Sequence, residues 1–217
     1  MKQEIRDRKN LEKYVQQMVE LKARLSHLKR NPAGKEDRFG IENSALHIRK
    51  IIELFAFSLM SLQKEEYKKY RKSSGADFLK DWNGREILYH LTSLNPDLFF
   101  KPIEKEIKTQ PDGIKNVALK DEKSVYTIKR LSKLYERCGG ILHVSNPWKN
   151  CNKIESFAGE LPSIIKKLLS TFEDQAILVN HWDSGDSTVV IVTLTGANSS
   201  PSYHLALGNG NFGFGSV

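Results

Sequence analysis

The stretch Asn43-Ser44-Ala45-Leu46-His47-Ile48-Arg49-Lys50-Ile51-Ile52-Glu53-Leu54-Phe55-Ala56-Phe57-Ser58-Leu59-Met60-Ser61-Leu62 decides the fold class. Ala45, Ile48, Ile52, Phe55, Leu59 and Leu62 recur at helical spacing and define one face, while Ile51, Leu54, Phe57 and Met60 cover much of the rest. A helix that is apolar nearly all round belongs at the centre of a helical core. Arg49 and Glu53 are four residues apart and share one side of it. A carboxylate in such surroundings needs a partner, and Arg49 or another buried Arg can supply one. A structural ion pair is therefore expected there rather than catalysis.

Outward from this helix, the N-terminal segment reads as an amphipathic helix to about Arg30. Its single apolar stripe is Leu11, Tyr14, Met18, Leu21, Leu25 and Leu28. Asn31-Pro32-Ala33-Gly34 ends it. The stripe is too short for a long coiled coil and suits packing on a core or on a partner protomer. On the other side, Gln63 to Lys72 reads as a charged continuation with Tyr67 and Tyr70 among lysines. A helix follows from Arg85 to Ser93, and Leu98 to Leu119 looks extended, with Pro111-Asp112-Gly113 as a hairpin turn. Val125, Ile128, Leu131, Tyr135, Cys138 and Leu142 restore helical spacing, with Asp121 or Ser124 as the expected cap. A further helical region from about Asn150 to Phe172 is expected to break at Gly159 and Pro162.

After that the period changes to that of strands, over Ala176 to Trp182, Thr188 to Thr195 and Ser202 to Leu207, and a Gly-rich tail closes the chain. The expected class is mainly α (α+β), a helical bundle with a small C-terminal antiparallel β meander. The expected division is a helical domain over 1–172, with its amphipathic helix (1–30) and a β-hairpin insertion (98–119), a meander over 173–207 and a tail over 208–217.

Composition narrows the function classes. At 217 residues with 28% charged side chains, the chain is ordinary globular material that can hold a core without disulfides. No apolar run approaches the ~20 residues that span a bilayer, and the first residues lack the apolar stretch of a signal peptide, so a cytoplasmic location and no membrane partner are expected. Two cysteines, Cys138 and Cys151, suit a reduced compartment. The net charge of +8 favours polyanionic partners such as RNA, although the lysines are spread along the chain and a solvated basic surface explains them equally well. Tyr67, Lys68, Lys69 and Arg71 are the weak candidates for RNA contact, since aromatics among cations can stack on bases.

The sequence also removes several chemistries. Gly208-Asn209-Gly210-Asn211-Phe212-Gly213 matches G-x-G-x-x-G, but the dinucleotide reading needs a helix directly after the glycines, and Phe214-Gly215-Ser216-Val217 is not expected to supply one. There is no P-loop and no Gly-x-Ser-x-Gly elbow. The six histidines stand at none of the usual zinc spacings, so neither metal nor cofactor is expected.

What remains is Arg137 and His143, within Arg137-Cys138-Gly139-Gly140-Ile141-Leu142-His143. Here the chain resembles the HEPN superfamily (higher eukaryotes and prokaryotes nucleotide-binding), whose ribonuclease members carry Arg, four to six residues, then His near the end of a helical bundle. Leu46-His47-Ile48-Arg49-Lys50-Ile51-Ile52-Glu53-Leu54, Leu94-Asn95-Pro96-Asp97, Leu134-Tyr135-Glu136-Arg137-Cys138-Gly139 and Asn146-Pro147 resemble one bacterial branch of it. The resemblance covers residues 40 to 150.

The resemblance implies a metal-independent endoribonuclease acting as a homodimer, with two Arg–His motifs meeting across the interface. It also implies a toxin or phage-defence effector, with a cognate antitoxin or defence partner. His143 would move the proton of a ribose 2′-hydroxyl or of the leaving oxygen. Arg137 would hold the phosphate, with Arg49, Glu53 and Asn146 in support. Residues six apart on a straight helix diverge by roughly 120°, so convergence needs a bend at Gly139-Gly140 or a second protomer. Active members usually carry a polar residue, often Asn, Asp or His, after the motif Arg, where this chain has Cys138. That departure favours the alternative, a non-catalytic HEPN-like module that binds RNA or protein and dimerises. A structural dimer scaffold built on the N-terminal stripe is the third reading.

Overall fold

A computed structural model describes residues 2–94, 99–109, 115–144, 148, 152–180, 187–194 and 202–208. The chain divides into two compact units, one of residues 1–96 with 127–166, the other of residues 97–126 with 167–217.

The first unit is helical. Its centre is α2 (Arg38–Leu62), on which α1 (Lys2–Arg30), α4 (Gly84–Leu94) and α5 (Ile128–Leu142) all pack. The α1 stripe reads through: Tyr14, Met18, Leu21, Leu25 and Leu28 are buried. Asp37 caps α2 by accepting from the Gly40 N–H at 2.9 Å, so the helix begins at Arg38, five residues before the expected start at Asn43. At Gln63 the backbone leaves helical geometry and restarts as α3 (Lys64–Ser73), so the charged segment is a separate helix. A single 3-10 turn, Phe78–Lys80, precedes α4.

Two helix boundaries differ from the sequence expectation. Thr127, rather than Asp121 or Ser124, caps α5, its hydroxyl accepting from Arg130 N at 3.3 Å. Asp121 and Ser124 instead close a turn, Ser124 N donating to the Asp121 carbonyl at 2.9 Å. The last helix, α6 (Lys153–Phe172), runs unbroken through Gly159 and Pro162. An interior Pro costs a helix ~3 kcal/mol. Burial of Phe157, Leu161, Ile164, Ile165 and Leu168 opposes that cost with roughly 1.5–3 kcal/mol each, so packing wins.

The second unit holds one five-stranded antiparallel sheet in the order β2-β1-β3-β4-β5, formed by β1 (Phe99–Thr109), β2 (Lys115–Leu119), β3 (Asp174–Asn180), β4 (Ser187–Thr193) and β5 (Ser202–Gly208). The expected hairpin insertion and the expected meander are thus parts of one sheet, because β1 pairs with β3 from Phe99↔Leu178 to Pro102↔Gln175. The division at residue 172 changes accordingly. Pro102 stands at the end of the β1–β3 ladder, opposite Gln175, where a missing N–H costs little, and the β1–β2 register shifts just beyond it, between Ile103 and Ile107. Val189, Val190, Ile191 and Val192 are all buried, so both faces of β4 are covered. Ile103, Ala176, Val189 and Ile191 form one apolar cluster with Leu178 against it. Tyr126 N donates to Thr171 Oγ1 at 2.8 Å and Lys120 Nζ to the Ser170 carbonyl at 2.8 Å, tying the segment after β2 to the last turn of α6. The expected turns at 111–113 and 183–186 and the tail beyond Gly208 lie outside the described residues.

Gly84 brings the start of α4 against the backbone of α2: a Cβ there would stand 3.0 Å from the Cα of Glu53. Backbone cannot yield as a flexible side chain can, so Gly84→Ala is expected to destabilise the protein by about 1–3 kcal/mol. Urea unfolding followed by circular dichroism measures this. An unchanged or higher midpoint would show that α2 and α4 separate without cost.

Candidate active site

The site is built from the middle of α2 and the last turns of α5. Arg49 Nε lies 3.3 Å from Glu53 Oε1, as the spacing suggests, and the pair has a third member. The Tyr135 hydroxyl accepts from Arg49 Nη2 at 2.7 Å and donates to Glu53 Oε1 at 2.8 Å. The Arg49 guanidinium also sits over the Tyr135 ring, 4.2 Å from its centroid. Burial, reinforced by the bond to Glu53, pushes the Tyr135 phenol up to about 12. Arg49 and Glu53 thus form the expected structural pair, and Tyr135 is the partner that spacing could not reveal.

Gly139 follows from this arrangement. A Cβ on it would meet Arg49 Nη1 at 2.9 Å, so glycine leaves room for the guanidinium. Neither Gly139 nor Gly140 bends the chain: α5 continues through both to Leu142, and the positive-φ glycine among the described residues is Gly75. Cys138 is buried, and burial pushes its thiol up to about 12, so it stays protonated and packs as a small apolar group.

Arg137 turns toward α6. Its two terminal nitrogens donate to Glu160 Oε2 at 2.7 Å and Oε1 at 2.8 Å, a bidentate pair, and Nη2 also reaches Ser156 Oγ at 3.4 Å. The Phe157 ring lies beneath it, 5.2 Å from the guanidinium carbon. The hydrogen bonds from Arg137 hold the Glu160 carboxyl below its ordinary range. Arg137 lines an open cleft of about 590 Å³ together with Glu136, Gly140, Asn152, Lys153 and Ser156.

His143 is exposed and stands just beyond α5, its backbone N–H donating to the Gly139 carbonyl at 3.2 Å. With α5 straight between them, one route to convergence of Arg137 and His143, the bend at Gly139-Gly140, is closed. Val144 is 97% exposed and Trp148 93% exposed. Asn146 and Cys151 lie outside the described residues. Among the described residues, no three His, Cys, Asp or Glu side chains gather as metal ligands.

Of the RNA-contact candidates, Lys68 and Lys69 are exposed, but Tyr67 is fully buried and donates its hydroxyl to Asp81 Oδ2 at 2.8 Å. Arg71 clamps the same carboxylate at 2.8 and 2.7 Å and donates to His90 Nε2 at 3.0 Å. Tyr67 and Arg71 therefore tie α3 to the turn before α4 and cannot form a stacking platform. The exposed aromatics of this region are Trp82 (68%) and Tyr89 (66%), which spacing could not single out because neither lies in a lysine run.

Comparison with known proteins leaves the chain on its own. It matches no family model, and no curated protein or solved structure is significantly similar to it. The functional reading therefore rests on the geometry above.

The Tyr135 bridge makes a test of the inner part of the site. Tyr135→Phe keeps the ring over Arg49 but removes a hydroxyl with two partners, at an expected cost of about 1–3 kcal/mol. The phenol titrates near 10 when unfolded and at about 12 when folded, so its contribution is complete below pH 10 and lost as pH rises toward 12. Tyr14 and Tyr67, also raised by burial, act in the same direction. Stability of Tyr135→Phe should therefore fall less steeply above pH 10 than that of the parent. Parallel pH profiles would remove the buried bridge from this account.

Proposed function

We propose that the chain is a HEPN-type endoribonuclease that works as a cytoplasmic homodimer without metal or cofactor, cleaving RNA by attack of a ribose 2′-hydroxyl. The observation that carries this reading is Arg137 in the wall of an open cleft that also offers Lys153, Ser156 and Asn152. A guanidinium already engaged by both oxygens of a carboxylate is oriented for two oxygens of a phosphate, which has the same forked geometry. The net charge of +8 draws RNA toward such a cleft.

His143 is the general acid or base. Since α5 does not bend, the His143 that meets a given Arg137 comes from a second copy of the chain, and the exposed Val144 and Trp148 give that copy apolar surface to cover. Arg137 binds the scissile phosphate and stabilises the charge that builds on it. His143 takes the 2′-proton or returns one to the leaving 5′-oxygen. Arg49, Glu53 and Tyr135 do no chemistry and hold α5 in register on α2. A toxin or phage-defence role, with a cognate antitoxin or defence partner, follows from the HEPN resemblance alone.

The second reading is a non-catalytic HEPN-like module that binds RNA or protein as a dimer. Two observations favour it: Glu160 occupies Arg137, and Cys138 is a buried apolar group where active members are polar.

Cleavage separates the two. In excess EDTA the protein should cut RNA to products ending in 2′,3′-cyclic phosphate. His143→Ala should lower the rate by about 10² or more, and Arg137→Ala by a comparable factor, with both variants folded and dimeric by sedimentation. Activity that survives His143→Ala, or that requires a divalent metal, would overturn the mechanism. Salt-sensitive RNA binding without cleavage would leave the binding module as the function.

A further inference from the structure

A second group of polar side chains stands outside the α5–α6 cleft, where α1 packs on α2. Along α1, Glu20, Arg24, His27 and Asn31 follow one another at spacings of four, three and four, which places them on one side of the helix. From α2, His47 and Lys50 face them, and the rings of His27 and His47 lie 4.5 Å apart between centroids, tilted by 30°.

The hydrogen bonds determine which ring nitrogen carries each proton. Arg24 Nη1 lies 3.3 Å from His47 Nδ1, and a guanidinium can only donate, so this Nδ1 accepts. Asn31 Nδ2 donates to the His27 carbonyl at 3.2 Å, which fixes the orientation of its amide, and it approaches His27 Nδ1 at 3.4 Å. That ring nitrogen accepts as well. Each neutral ring therefore keeps its proton on Nε2, and among the described residues neither Nε2 has an acceptor. The two rings, 4.5 Å apart between centroids and both part-exposed, thus each keep an N–H that no described side chain engages.

The charge around them is unbalanced. Arg24 and Lys50 are cations, and the carboxylate against them is Glu20, already paired with Arg24 Nε at 3.0 Å. Burial first, then His27, Arg24 and Lys50, hold the His47 imidazole below its ordinary range. An anion at the ring edges would reverse the last three effects.

We propose that His27 and His47 form a phosphate-binding site, their two Nε2–H groups donating to the oxygens of one phosphate group while Lys50 and Arg24 supply counter-charge. The phosphate is either a free inorganic anion or one phosphodiester of an RNA strand. The site does not depend on whether the α5–α6 cleft cuts RNA, so loss of cleavage leaves it intact and its own failure leaves the cleft intact.

The experiment follows the imidazole C–H resonances of the full chain by NMR at constant ionic strength. One arm adds inorganic phosphate, the other a single-stranded oligoribonucleotide. Both rings are expected to shift saturably, with the His47 midpoint moving up by about one unit at saturation, because a nearby anion favours the charged ring. His27→Gln and Lys50→Gln, each folded by circular dichroism, should weaken binding about 10-fold as read on His47. Saturation with phosphate alone identifies a small-anion site, and saturation with the oligonucleotide alone a backbone site; either supports the proposal. Resonances that respond to neither probe, or an affinity unchanged in both variants, would overturn it.

Discussion

Glu53 is a carboxylate on the central helix of an apolar bundle, and the hydroxyl of Tyr135 donates to its Oε1, the oxygen that also accepts from Arg49. Arg49 lies 3.3 Å away on the same helix, while the bond from Tyr135 reaches across from α5 at 2.8 Å. The pair is only about one-fifth exposed, and leaving a hydrogen-bonded group without its partner costs about 1–3 kcal/mol, so the position of α5 on α2 is tied to these atoms. Two glycines on neighbouring helices serve the same group. Gly84 lets the start of α4 come against the backbone of Glu53, and Gly139 lets α5 pass the guanidinium of Arg49. Two helices are thus fitted around one ion pair through the side chains they lack.

That fit also sets the direction of Arg137. At ~100° per residue, Tyr135 and Gly139 lie on nearly the same side of α5, and Arg137, halfway between them, points the other way. It therefore faces α6, where Phe157, Ser156 and Glu160 receive it. Cys138 is left against the core. The six-residue gap to His143 then places the histidine beyond the end of the helix rather than on the cleft side.

Local signals carried much of the fold in the sequence. The α1 stripe, the all-round apolar character of α2 and the Arg49–Glu53 spacing each reflect interactions within a few turns, and periodicity reports those. Pairings between distant segments left no such trace. Nothing local to Phe99–Pro102 says that its partner is Gln175–Leu178. Tyr67 sits among lysines, yet its burial depends on Asp81, fourteen residues away. Pro162 carries a strong local signal for a break, and a run of buried apolar side chains on both sides outweighs it. At the candidate site, Arg137 and His143 stood out as residue types, but Glu160 and Tyr135 could be recognised only as neighbours in space.

Whether Glu160 blocks or merely orients Arg137 is a question of magnitude. The guanidinium side chain is 35% exposed and the carboxylate 54% exposed, so water screens the pair. Pairs of this kind contribute roughly 0–1 kcal/mol, even though bidentate geometry places this one toward the upper end. An arriving phosphate that accepts the same two hydrogen bonds replaces what it displaces, and it carries with it the attraction of Lys153 across the cleft. The Phe157 ring meanwhile stays beneath the guanidinium, so Arg137 does not need to be ordered afresh when its partner changes. Breaking the ion pair would therefore be a small part of the free energy of any anion binding at Arg137, and in the structure Glu160 holds the guanidinium fork in place beside the cleft.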